Sequence, residues 1–125
     1  MTLEEQKRQI RVRTRELVRE ARRLYEKKLP TPKLTFFSGD EDTVGYQIGL
    51  NEIGYNLDYM EEDWESFYRL IPPHEVAHLV QTNLKPLSRQ HGKFWREVCR
   101  ELGGDGESRW ELSDTFSDDT KGEAE

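Results

Sequence analysis

Cys99 is the single cysteine among the 125 residues. No internal disulfide can form, and no four-cysteine zinc ribbon can be built from the chain. No apolar run approaches the ~20 residues a membrane span requires, and the N-terminus lacks the apolar centre of a secretory signal. These absences predict a soluble protein of the reducing cytoplasm with no membrane partner. Apolar residues are scarce at 34%, against 35% charged, so the core must be compact and the surface strongly ionic. The length admits one modest core and not two. Internal repeats are absent.

Histidine is scarce too, with only His74, His78 and His91 in the chain. Two of them fall in His74-Glu75-Val76-Ala77-His78. On a helix, imidazoles four residues apart project from one face and can grip a single metal ion. Ala77, Leu79 and Val80 suit a buried helix, and Pro73 suits a first helical position, where its missing N–H costs nothing. Glu75 lies at the edge of the same face, within reach of water beside such an ion. The bland alternative, two histidines with no ligand, leaves this spacing and Glu75 unexplained.

Charge is unevenly spread. Residues 1–28 carry ten Lys/Arg against five Glu, whereas the remainder carries nine against twenty acids, within a net charge of -6. A basic segment on an acidic body can contact phosphate backbones, so DNA is a candidate partner. A solvated helix face would look the same.

From about Leu3 to Leu29 an apolar stripe (Ile10, Leu17, Ala21, Leu24, Tyr25) recurs at helical spacing and predicts one amphipathic helix, ended by Pro30 and Pro32. Lys33–Ser38 has strand character, and Val44–Gly49 with Glu52–Asn56 predicts a hairpin. Gly45, Gly49 and Gly54 in that region mark weak strands or close backbone approach. Trp64, Phe67, Tyr68 and Ile71 predict a helix leading to the motif, broken or kinked by Pro72-Pro73. A polar loop over Asn83–Gln90 precedes a last helix from about His91 to Leu102, stopped by Gly103-Gly104. The predicted fold is α+β: a long N-terminal helix, a small three-stranded antiparallel sheet, the motif helix and a C-terminal helix carrying the third ligand, a minimal zincin. Residues 1–104 form the expected domain, with 105–125 an acidic flexible tail.

A catalytic zinc needs a third protein ligand and keeps one position open. His91 lies on the stripe of Phe94, Trp95 and Val98 and so faces the core, which favours it over Glu97 or Glu101. The twelve residues between His78 and His91 let one helix end and a second return across it. The metzincin spacing is absent, since Gln81 and Leu84 occupy the positions that would be Gly and His. Zinc held by His74, His78 and His91 would acidify water, with Glu75 as general base for hydrolysis of a peptide bond. Tyr46, Tyr55 and Arg109 are candidates for a second oxyanion donor, none singled out. An edge strand would take the substrate backbone by strand addition.

With these residues in place, the chain resembles the SprT-like family of zinc metalloproteases, which includes the Spartan DNA–protein crosslink proteases. Leu29-Pro30-Thr31-Pro32-Lys33-Leu34 is similar to the family's proline-flanked first strand, and Ile53-Gly54-Tyr55-Asn56 to a strand ending in Asn. Pro73-His74-Glu75-Val76-Ala77-His78-Leu79 is similar to its Pro-His-Glu-x-x-His core. His91-Gly92-Lys93-Phe94-Trp95 resembles its His-Gly-x-x-aromatic third-ligand motif. The resemblance implies zinc at His74, His78 and His91, a base at Glu75, and DNA-stimulated proteolysis linked to DNA–protein crosslink repair. The chain departs from the family in lacking cysteines for the C-terminal zinc ribbon and the added DNA- and partner-binding regions of Spartan proteins. The basic helix, with Arg11, Arg15, Arg19, Arg22 and Arg23, could take over DNA contact. Two rival readings remain: a zinc-containing binding module without protease activity, contacting nucleic acid or a protein, and a hydrolase of non-peptide amides.

Overall fold

The computed structural model describes residues 1–108. Helix α1 spans Leu3–Tyr25 and is capped by Thr2, whose hydroxyl accepts from the Glu5 N–H. It ends four residues before Leu29, because Glu26 takes the left-handed conformation that closes helices. The prolines lie beyond this stop. The stripe read from the sequence is the buried face: Ile10, Leu17 and Ala21 are buried, with Thr14 and Val18 between them.

Strands β1 (Lys33–Phe37), β2 (Gly45–Ile48) and β3 (Glu52–Asn56) form one sheet in the order β1-β3-β2. The β2–β3 hairpin is antiparallel as expected, turning through Gly49 at φ 60°. The expected all-antiparallel sheet is corrected, because β1 runs parallel to β3, from Lys33 opposite Glu52 to Phe37 opposite Asn56. The direction of β1 is set by the segment between β1 and β2, which carries the chain past β3 before it turns back. Asn56 pins that segment through 2.7 Å bonds from its Nδ2 to the carbonyls of Asp40 and Thr43. The Asn56 Oδ1 also caps the short helix α2 (Leu57–Glu62), for which the sequence gave no periodic signal.

Helix α3 runs from Trp64 to Leu84 through both prolines, so of the break or kink expected at Pro72-Pro73 the break is corrected, as is the placing of Pro73 at a first helical position. A proline inside a helix leaves the carbonyl four residues earlier without its donor. The two carbonyls so abandoned belong to Tyr68 and Arg69. Arg13 of α1 supplies both missing bonds, its Nε to the Tyr68 carbonyl at 2.6 Å and its Nη2 to the Arg69 carbonyl at 3.1 Å. The guanidinium also stacks over the Tyr68 ring, 4.8 Å from its centre. A rigid fork of N–H donors suits two adjacent carbonyls in a way a single ammonium does not.

Helix α3 continues to Leu84, into the stretch expected to be loop, and α4 spans Lys93–Glu101 behind a Gly92 cap. Gly103, at φ 93°, and Gly104 end α4 as expected, the Gly104 N–H reaching the Cys99 carbonyl at 2.8 Å. The core lies where α3 meets α1, β3 and α4. Phe67, Tyr55, Met60, Val76, Leu79 and Trp95 are wholly enclosed there. Tyr55 finds its polar partner in Thr14, with 2.8 Å between the hydroxyls, so burial of the phenol leaves no lone hydroxyl. Among the described residues no helix is long and apolar enough to cross a membrane. The expected tail lies, beyond Ser108, outside the described residues.

Replacing Arg13 with Ala should lower the unfolding free energy by about 1.5–3 kcal/mol, the worth of hydrogen bonds from a charged donor to otherwise bare carbonyls. Arg13→Lys should recover less than half of that loss in urea unfolding. Full recovery by lysine would contradict the two-carbonyl account.

Candidate metal centre

His74 and His78 stand one turn apart on α3, and the chain reverses through residues 85–92 to bring His91 against them. His91 lies two residues ahead of α4 and not on it, so the expectation that the C-terminal helix itself carries this histidine is corrected. Its ring is buried, 1% exposed. The ligating atoms of all three lie within 4.8 Å of one another. His91 Nε2 is 2.9 Å from His78 Nε2 and 3.3 Å from His74 Nε2. Neighbouring donors around a tetrahedral zinc, with Zn–N near 2.0–2.1 Å, sit about 3.3–3.4 Å apart. The three nitrogens are thus gathered at close to the spacing that a small divalent cation requires.

Two of the rings are also held from elsewhere. His78 Nδ1 faces the Gln81 Oε1 at 3.0 Å, and Gln81 is itself anchored through its Nε2 to the Ser88 hydroxyl and the Arg89 carbonyl. The backbone of Glu107 hydrogen-bonds His74. Fixing His78 Nδ1 against an amide oxygen selects the tautomer that offers its Nε2 as a lone pair. Trp95 forms the floor. Its ring stacks on His78 at 5.2 Å and meets His74 and His91 edge-on at 4.7 and 4.6 Å, while its Nε1 donates to the His74 carbonyl. Burial, with His78 and His91 close by, pushes the His74 pKa well below its usual 6.5. A neutral imidazole is the form that binds metal, so three buried histidines here could hold a metal ion.

Glu75 is buried too, only 4% exposed, on the helix turn that carries His74 and His78. Its carboxylate lies against the backbone of β2. A methyl group added at Gly45 would come within 3.0 Å of Glu75 Oε2 and 3.1 Å of the Gly54 carbonyl. The bare Cα of Gly45 is what makes room for the carboxylate.

Of the alternative ligands, Glu97 and Glu101 point outward, and Glu101 bonds the Tyr25 hydroxyl. Cys99 is buried in apolar surroundings that push its thiol up to about 12, so it stays protonated and inert. Of the candidate oxyanion donors, Tyr55 is committed to Thr14 and Tyr46 to Glu52, while Arg109 lies outside the described residues. The sequence reading missed Gln81 and the supporting role of Trp95. Gln81 follows His78 by three positions and so shares its face, a signal that was available. Trp95 was legible as an apolar residue of the last helix and as the aromatic of the third-ligand motif, but not as a ring touching all three histidines.

A helix carrying His-Glu-x-x-His, met by a third histidine from a returning segment beside a small mixed sheet, defines an α+β protein whose three histidines could hold a metal ion. Consistent with that class, the SprT-like family model matches residues 5–115, and the chain belongs to the SprT-like family. It is similar to Protein SprT of Vibrio parahaemolyticus, with 31% identity over 84 residues, covering 67% of this chain and 51% of the relative. Protein SprT of Pseudomonas putida is 27% identical over 93 residues, covering 74% and 57%, and that of Shewanella oneidensis 22% over 94 residues, covering 75% and 60%. The chain spans about half the length of these relatives. No solved structure matches.

Gln81→Ala should weaken zinc binding by roughly tenfold to a hundredfold, the usual cost of losing an outer partner of a histidine ligand. Competition titration against a chromogenic chelator measures it. Unchanged affinity would mean that the Gln81 bond does not orient His78.

Proposed function

We propose that the chain is a zinc metallopeptidase, with His74, His78 and His91 as ligands and Glu75 as general base. One observation carries this reading: three buried imidazoles converge through their Nε2 atoms, two of them on the helix that also carries the buried carboxylate of Glu75. When bound, zinc supplies a Lewis acid that acidifies water and polarises a carbonyl. Glu75 takes the water proton on its carboxylate as the peptide carbonyl is attacked, then returns it to the leaving amine. Gly45 leaves that carboxylate room to lie against β2. Strand β2 is an edge of the sheet, and it packs on α3 beside the motif, a disposition suited to taking up an extended peptide by strand addition. A purely structural zinc is usually closed by four protein ligands and has no use for a base beside it. Both points favour hydrolysis over a binding module without activity.

Glu75→Gln should keep stoichiometric zinc and reduce hydrolysis of an unstructured protein substrate by a factor of about a hundred or more. Zinc analysis and gel-based cleavage assays read the two quantities separately. Undiminished cleavage by this variant would remove Glu75 from the mechanism.

The substrates we propose are proteins associated with DNA, with α1 as the contact. Arg8, Arg15 and Arg19 are exposed and share one stripe of the helix with Arg11 and Arg22. Part of that stripe has other duties. Arg22 bonds the Leu29 carbonyl, and Arg11 lies over the Phe36 ring at 5.1 Å. With three arginines left for phosphates, the slope of log affinity against log salt for single-stranded DNA should be about -2. It should flatten when Arg8, Arg15 and Arg19 are replaced by Gln. A slope near zero in the native chain would dismiss α1 as the contact.

A further inference from the structure

Beside the metal centre lies a cavity of about 210 Å³ whose wall includes His78 itself, together with Gln47, Gln81, Thr82, Ser88 and Gln90. It is several times the ~30 Å³ share of one water and smaller than the roughly 300–1,000 Å³ of small-molecule sites. That size suits a single amino-acid side chain. Its wall is built from three elements: β2 gives Gln47, α3 gives His78, Gln81 and Thr82, and the loop before α4 gives the rest. Thr82 ties the first two together by donating to Gln47 Oε1 at 2.8 Å. One wall residue thus belongs to the edge strand, and another holds the metal position.

We propose that this cavity is the subsite for a side chain flanking the scissile bond, and that it selects a neutral side chain able to donate a hydrogen bond. The inference rests on the peptidase reading above and names its specificity. Every wall residue but Pro86 carries an amide, a hydroxyl or an imidazole, and none is Asp, Glu, Lys or Arg. Most donors there are already engaged: Gln47 Nε2 with the Gly49 carbonyl, Gln81 Nε2 with Ser88 and Arg89, and the Ser88 hydroxyl with the Lys85 carbonyl. Gln47 Oε1 and Thr82 Oγ1 keep unused lone pairs, so the wall chiefly accepts. An aliphatic side chain would displace water from these acceptors and give nothing back. A carboxylate would bring more lone pairs to them. An ammonium would donate, but it would lose hydration with no carboxylate in the wall to offset it. The loop that closes the cavity also carries only cations, Lys85 and Arg89. Asn, Gln, Ser and Thr satisfy all of these conditions. Leu87, fully exposed between Pro86 and Ser88, offers an apolar contact to a neighbouring residue of the same peptide.

The test has two arms, both on the full chain loaded with zinc. In the first, cleavage of a mixed peptide library should favour Asn, Gln, Ser or Thr over Asp and Lys at one position next to the cut, by about fivefold to tenfold. Gln47→Glu and the more exposed Gln90→Glu should each raise Lys and Arg at that same position. Profiles unchanged by both variants would overturn the subsite while leaving the peptidase standing. In the second arm, the Glu75→Gln chain is titrated with an uncleaved Gln-containing peptide and its Lys counterpart. The side-chain amide resonances of Gln47 and Gln90 should move with the first peptide and far less with the second. If they stay put up to millimolar peptide, the proposal fails, whether or not the native chain cleaves.

Discussion

The continuity of the helix that bears His74 and His78 depends on a side chain that the helix does not own. Two consecutive prolines directly ahead of His74 strip α3 of two backbone bonds, and Arg13 restores both from α1, 55 and 56 residues away in sequence. Without that fork the Tyr68 and Arg69 carbonyls would turn toward water and bend the helix at the start of the motif. The ring positions of His74 and His78, and the carboxylate of Glu75 between them, are therefore set by the docking of α1 as much as by helical propensity. The N-terminal helix is part of the site's scaffold.

This division of labour explains what could be read from the sequence. Residues four apart on a helix were legible because they follow from local periodicity; the inward side of His91 was expected from a helical stripe it does not belong to, since it lies ahead of α4. The β2–β3 hairpin was legible for the same reason, with its turn glycine between two short runs. The parallel partner of β1 was not, since nothing local fixes the direction of a strand whose neighbour comes third in the chain. The prolines misled because their penalty is real and its remedy lies far upstream. In Asn56 one side chain both pins the β1–β2 segment and caps α2, a double role that spacing alone cannot reveal. Gln81 was the avoidable omission, sitting one turn past a named ligand.

The centre is also electrostatically simple. Three neutral imidazoles offer no negative charge, so a bound dication would keep its full charge against the single carboxylate of Glu75. In a water-poor setting such an excess acts strongly on a carbonyl oxygen gathering negative charge. The arrangement suits hydrolysis better than storage, and it explains why the acidic character of the body is kept away from the ligands. Glu97 and Glu101 face solvent, and Glu52 is engaged by Tyr46.

Trp95 carries a further implication. Because its indole touches all three imidazoles, one rigid side chain of the core fixes where each ring can sit. The conformational entropy of gathering the histidines is therefore lost together with the packing of the core. Any smaller residue at position 95 would loosen all three candidate ligands at once.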